Sequence, residues 1–175
     1  MINSILIANR GEIACRIIRT ARLMGLRTIA VYSEADRNAI HVDMASDAIM
    51  IGPAPAVDSY LNIDAILDAI DETGADAVHP GFGFLSENAE FAEILGEEGV
   101  TFIGPRPDAI RLMGDKISSK QLAQEIGVPT IPGTSEPVSD VAAAAAVAKE
   151  IGYPVLLKAS AGGGGKGMRL VEEES

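Results

Sequence analysis

The 175-residue chain has a single cysteine, Cys15, so no internal disulfide can form, and that scarcity fits a reducing compartment. No stretch approaches the ~18 uninterrupted apolar residues of a membrane helix, so no membrane span is expected. The opening Met1-Ile2-Asn3-Ser4-Ile5 has no basic region ahead of its apolar run, which argues against a secretory signal. The two histidines, His41 and His79, are far apart in sequence, and no Cys/His cluster has metal spacing. A Gly-x-Ser-x-Gly nucleophile elbow is also missing. Together these absences lead us to expect a soluble cytoplasmic protein of one domain, or one plus part of another.

Basic residues are scarce in the middle of the chain. The net charge of −11 divides into +4 over residues 1–33, −14 over 34–98 and −1 over 99–175. An acidic body repels a polyphosphate backbone, which argues against general nucleic-acid binding. The arginines of the first third (Arg10, Arg16, Arg19, Arg22, Arg27) read mostly as solvated charge opposite a core stripe, with a binding face as the alternative.

What is present is a repeating rhythm. Residues 5–8 and 28–32 are continuous apolar runs, the form of strands buried on both faces. Between them Ile13, Ile17, Ala21 and Met24 recur at helical spacing, with Gly25 at the C-terminal end. Residues 48–51, 76–78 and 101–103 add three more strands. Asn62 is expected to cap a helix closed by Gly74, and Ser86 to open another that turns Phe91, Ile94 and Leu95 inward. The pattern predicts a doubly wound α/β domain over residues 1–104, with a parallel sheet covered on both faces. Gly104-Pro105-Arg106-Pro107 then reads as a hinge. Beyond it come a helical turn, a helix over about 115–126, an alanine-rich helix with Ser139 as its expected cap, and strands at 155–159 and 168–171. Residues 113–175 are too few to close a core alone and read as the opening of a second domain.

The strongest chemical signal is the run from Lys158 to Met168, with Gly162, Gly163, Gly164 and Gly165 followed by Lys166 and Gly167. Consecutive glycines in a strand–loop–strand can reach φ > 0 and aim several amides at one anion, so phosphate binding is expected, with a plain hairpin tip as the alternative. No Gly-Lys-Ser/Thr follows and the next element is a strand, so this is not a Walker A loop. Lys158, at the end of an apolar strand, must either reach solvent or meet an anion. Lys116 and Lys120, four apart on one helix, would by themselves read as a solvated basic face. In the first domain, His79-Pro80-Gly81-Phe82-Gly83-Phe84 leaves the carboxyl end of a strand, the edge where open α/β sheets bind ligands. His79 reads as a turn histidine bonded to nearby backbone, with an acid–base role as the alternative. Neither Asn9-Arg10-Gly11-Glu12 nor Gly81-x-Gly83 completes Gly-x-Gly-x-x-Gly, so dinucleotide binding by that fingerprint is disfavoured.

Four motifs in order, Ile7-Ala8-Asn9-Arg10-Gly11-Glu12-Ile13-Ala14, His79 to Asn88, Gly114-Asp115-Lys116 and the glycine loop, resemble the N-terminal part of biotin carboxylases over essentially the whole chain. Phe82 stands where many relatives carry tyrosine, and Ala161 where a glycine is common. The resemblance implies a pre-ATP-grasp, Rossmann-like domain over residues 1–112 and the start of an ATP-grasp domain over 113–175. It implies Lys116 and Lys158 as nucleotide contacts and Gly162–Gly167 as the loop over the phosphates. It also implies MgATP and bicarbonate as reactants, carboxyphosphate as intermediate, and biotin on a carrier domain as acceptor. A carboxyltransferase partner and a homodimer follow from the same likeness. The metal ligands and catalytic groups are expected after Ser175, so no metal or catalytic residue is assigned and this stretch is expected to be inactive alone. A carbamoyl-phosphate-synthetase-like ligase is the alternative enzyme, against which His79-Pro80-Gly81 speaks. A non-catalytic module docking through the arginine-bearing helix is the alternative of another class.

Overall fold

The computed structural model describes residues 1–134, 136–158 and 167–174, with Lys116 described in its backbone only. The chain divides into two compact units, Met1–Ile110 and Arg111–Ser175.

The first unit is a five-stranded sheet in the order β3-β2-β1-β4-β5, with every pairing parallel. Its strands are β1 (Ser4–Ile7), β2 (Arg27–Ser33), β3 (Asp47–Gly52), β4 (Ala77–His79) and β5 (Thr101–Phe102). The two-residue alternation of a strand divides β1 between two cores. Leu6 and Ala8 face a cluster with Ile29, Val31 and Val78. Helices α3 (Ile63–Thr73) and α4 (Ala89–Glu97) supply Ile66, Ile70, Phe91 and Leu95 to that cluster. Ile5 and Ile7 face the opposite side and pack on Ala14, Ile18 and Ala21 of α1 (Gly11–Leu23). Because β1 is central and covered on both sides, all four of its residues are buried.

Helix ends follow the side chains able to cap them. Asn62 Oδ1 accepts from the Ala65 amide, and Gly74 closes α3 at φ +61°. The expected start at Ser86 is corrected: Asn88 is the cap, its Oδ1 accepting from Phe91 N at 2.9 Å, while the Ser86 amide donates to Gly83 O in the preceding turn. A short helix, α2 (Ile40–Met44), has no counterpart in the sequence reading, because five residues are too few to show a period.

Helix α5 (Pro107–Gly114) runs across the boundary between the units. The second unit contains α6 (Lys116–Glu125), α7 (Val141–Ile151) and an antiparallel pair, β6 (Val155–Lys158) with β7 (Met168–Val171). Asp115 caps α6 by accepting from Ser118 N at 2.7 Å. The cap of α7 is Asp140, not Ser139: Asp140 Oδ1 accepts from Ala143 N at 2.8 Å, and Ser139 donates its hydroxyl to the same carboxylate. A full negative charge is the stronger acceptor at a helix N-terminus. Among the described residues of this unit Ala148 alone is buried, and Leu156, Leu157, Met168 and Leu170 of the hairpin are exposed.

Candidate functional site

The strand order places the topological switch point between β1 and β4, where the chain has turned back to build the other half of the sheet. The two carboxyl ends flanking it carry two of the sequence motifs. Asn9, fully buried just after β1, spans the gap: its Nδ2 donates to Pro80 O at 2.7 Å and to Phe82 O at 2.9 Å. The Asn9 Oδ1 in turn accepts from Arg10 N at 2.9 Å, which turns the chain into α1. Each buried carbonyl would lose ~1–3 kcal/mol if left without a donor. The crevice that a dinucleotide would occupy in other doubly wound sheets is thus bridged by the protein's own amide.

Gly81 makes this approach possible. It sits at φ +66°, and a Cβ there would lie 2.7 Å from Asn9 Nδ2 and 2.7 Å from Ile13 Cγ2. His79 is the turn histidine expected, its Nδ1 accepting from Gly81 N at 3.0 Å. Burial holds its imidazole below the usual histidine value. Phe84 takes φ +44°, an unusual backbone for a bulky residue that costs ~1–2 kcal/mol and so needs external support. Between the two, Phe82 is 68% exposed.

Beside this turn lies a cluster that no sequence motif announced. Asp36, in a short 3₁₀ turn after β2, accepts from Tyr60 Oη at 2.7 Å, from Ser33 Oγ at 3.2 Å and from the Arg10 guanidinium at 3.4 Å. Burial works against the Asp36 charge, but the Tyr60 hydroxyl, Arg10 and the Ser33 hydroxyl outweigh it and hold the carboxyl below its usual value. The Tyr60 phenol is pushed up to about 12, first by burial and then by the neighbouring Asp36 carboxylate. Its ring stacks on Phe84 with centroids 5.0 Å apart. His41 lies behind α1, fully buried, with Nδ1 accepting from Gly11 N at 3.3 Å and Nε2 facing Val31 O at 3.3 Å. Burial lowers its pKa, so the neutral ring is the resident form. Arg10 and Arg27 therefore serve in ion pairs, with Asp36 and Asp47, whereas Arg16, Arg19 and Arg22 of α1 are exposed as expected.

In the second unit, Lys116 is the first residue of α6, directly after the Asp115 cap. Lys120, four residues on, turns its Nζ to Thr134 O at 3.4 Å, so it holds its own chain. Lys158 is exposed at the end of β6 and pairs across the hairpin with Met168. Gly167 stands at φ +74° where the chain re-enters β7. Gly162, Gly163, Gly164, Gly165 and Lys166 lie outside the described residues. The described register ends at the Lys158–Met168 pair, the residues that flank this stretch in the sequence. A cation at the base of a side-chain-poor loop suits an anionic phosphate chain. Among the described residues no group of three or more His, Cys, Asp or Glu could hold a metal ion, and no helix is long and apolar enough to cross a membrane.

Comparison with known proteins matches residues 1–110 to the biotin carboxylase N-terminal domain, and residues 115–175 to the ATP-binding domain of the carbamoyl-phosphate synthase L chain. The propionyl-CoA carboxylase alpha chain of Ruegeria pomeroyi is 60% identical, over 97% of this chain and 25% of its own length. A biotin carboxylase–β,γ-ATP complex from Campylobacter jejuni aligns with TM-score 0.95 and 54% identity, covering 99% of this chain and 39% of that one. The biotin carboxylase domain dimer of Hydrogenobacter thermophilus 2-oxoglutarate carboxylase, solved with MgADP, ADP and bicarbonate, aligns at 0.93 and 53%, over 98% and 38%. The chain thus spans about a quarter to two-fifths of the proteins it matches.

Two outcomes are expected from the first unit. Gly81→Ala adds a left-handed alanine and a collision with Asn9, and is expected to lower unfolding stability by ~2 kcal/mol or more in urea titration; a loss below ~0.5 kcal/mol would contradict the close approach. The second concerns pH. His41 and His79 both have folded pKa values below 6.5, so the unfolded chain binds more protons below that pH. Their contribution is complete above 6.5 and is lost as the pH falls through the folded values. The urea midpoint should therefore drop between pH 7 and 5, and the slope should flatten in a His41→Gln/His79→Gln double variant; an unchanged slope would refute the assignment.

Proposed function

Given that the chain belongs to the biotin carboxylase family, a match that covers residues 1–110, we propose that it forms the front of an ATP-dependent biotin carboxylase. In this reading residues 1–112 are the pre-ATP-grasp domain and 113–175 open the ATP-grasp domain. The enzyme uses MgATP to activate bicarbonate as carboxyphosphate and passes the carboxyl group to biotin on a carrier domain. A carboxyltransferase then receives it, the protein works as a homodimer, and the setting is cytoplasmic.

The observation that carries the reading is the hairpin register, in which Lys158 and Met168 pair at the mouth of the glycine loop. ATP would supply the transferable γ-phosphoryl group. The residues suited to its triphosphate are Lys116, Lys158, Lys166 and the amides of Gly162–Gly167, because transfer spreads negative charge that fixed cations and N–H donors stabilise. Lys116 follows Asp115, whose carboxylate is engaged by the Ser118 hydroxyl and amide, which hold its pKa below the usual value. That acid is thereby committed to the cap. Among the described residues no group of three or more His, Cys, Asp or Glu lies together, and none of them is assigned to the metal.

The test is free-biotin-dependent ATP cleavage by the full-length enzyme. Lys116→Ala and Lys158→Ala are each expected to weaken ATP binding ~10–100-fold, the equivalent of a lost charge-assisted hydrogen bond, and to abolish turnover. ATP affinity unchanged in both variants would overturn the site assignment.

A further inference from the structure

The second unit contains a tie that the phosphate-binding reading leaves unused. Helix α6 carries Lys116, Lys120 and Gln124 at i, i+4 spacing, which puts the three positions along one face. The helix ends in a reversal: Gly127 stands at φ +77°, and Val128 N donates to Ala123 O at 2.8 Å. The connector that leaves this turn comes back along that same face. Gln124 Nε2 donates to Thr130 Oγ1 at 3.2 Å, and one turn nearer the helix start Lys120 Nζ donates to Thr134 O at 3.4 Å. The approach at Lys120 is close, since a Cβ on Gly133 would lie 3.0 Å from the same Nζ. The next position along the face, at the helix start, is Lys116.

We propose that Lys120 is a positioning residue for the nucleotide: by holding Thr134 O it docks the connector on α6 and sets Lys116 in place relative to the chain that leads to Lys158. This rests on the functional reading above. In that reading two lysines meet one triphosphate from separate elements, Lys116 at the first position of α6 and Lys158 at the last of β6. The chain joining those elements passes through the connector, and freedom left in it is freedom that nucleotide binding must remove. A bond between the connector and α6 removes part of it beforehand, which raises affinity without a contact to the phosphates. Lys120 itself touches no reactant and acts through the connector.

The experiment compares Lys120→Met and Lys120→Arg in the full-length enzyme. Lys120→Met keeps the apolar stem and loses the donor. It is expected to raise KM for ATP in biotin-dependent ATP cleavage about three- to tenfold, with kcat within about twofold of wild type. Lys120→Arg, still a donor to the same carbonyl, should recover most of the loss. Hydrogen exchange over residues 128–134, measured without nucleotide, is a readout that a phosphate contact would not move. Exchange there should quicken about threefold or more in Lys120→Met and return toward wild type in Lys120→Arg. A raised KM with exchange unchanged would make Lys120 a phosphate contact and overturn the positioning role. A KM for ATP within about twofold of wild type in Lys120→Met would overturn it as well. ATP affinity unchanged in both Lys116→Ala and Lys158→Ala would instead overturn the functional reading, and the exchange rates would then decide by themselves whether Lys120 holds the connector.

Discussion

One carboxamide organises the working edge of the first unit. Asn9 stands at the point where a five-stranded parallel sheet reverses its winding, and its two N–H bonds go to carbonyls 71 and 73 residues away. The Asn9 side chain is fully buried and its bond to Pro80 O lies away from solvent, so that bond is expensive to leave unmade. Its partner atoms belong to a turn that could not approach so closely if residue 81 carried a side chain. Asn9 and Gly81 thus form a single constraint: one supplies the donors and the other the space. The orientation of Phe82, the strain at Phe84 and the support from Tyr60 all follow from where that constraint puts the turn.

Much of this was legible in the sequence because the relevant signals are local. Apolar strands such as residues 5–8 and 28–32, helix periodicity between Ile13 and Met24, and the Asn62 and Gly74 boundary all depend on neighbours within a few positions. The errors are informative for the same reason. Ser86 and Asn88 are both competent caps, and only the Gly83–Ser86 hydrogen bond, a tertiary detail of the turn, removes Ser86 from the competition. Ser139 and Asp140 are adjacent, and the carboxylate prevails. The Asp36–Tyr60–Arg10 cluster draws on residues 10, 36 and 60, which share no spacing rule. Only the parallel crossovers bring them to one edge. Asn9 was visible as a polar residue directly after a buried strand, but its partners were not.

The second unit gives its chemistry through register more than through packing. Its hairpin exposes leucines on both strands, and what it fixes is the pairing of Lys158 with Met168 at the mouth of the glycine run. Lys120, which sequence spacing groups with Lys116, is instead spent on the Thr134 carbonyl, a reminder that helix-face arithmetic locates side chains without telling what they bind. Placing a cation at a loop without side chains is a general solution for holding phosphates, and residues 115–175 match an ATP-binding domain. The account's central claim is that Lys158, Lys116 and this loop hold the triphosphate of one ATP.

A crystal structure of the full-length enzyme with a non-hydrolysable ATP analogue tests that claim most directly. The account predicts the Lys116 and Lys158 ammonium groups and the amides of residues 162–167 within hydrogen-bonding distance of the phosphates. A triphosphate held by other groups, with both ammonium groups facing solvent, would contradict it.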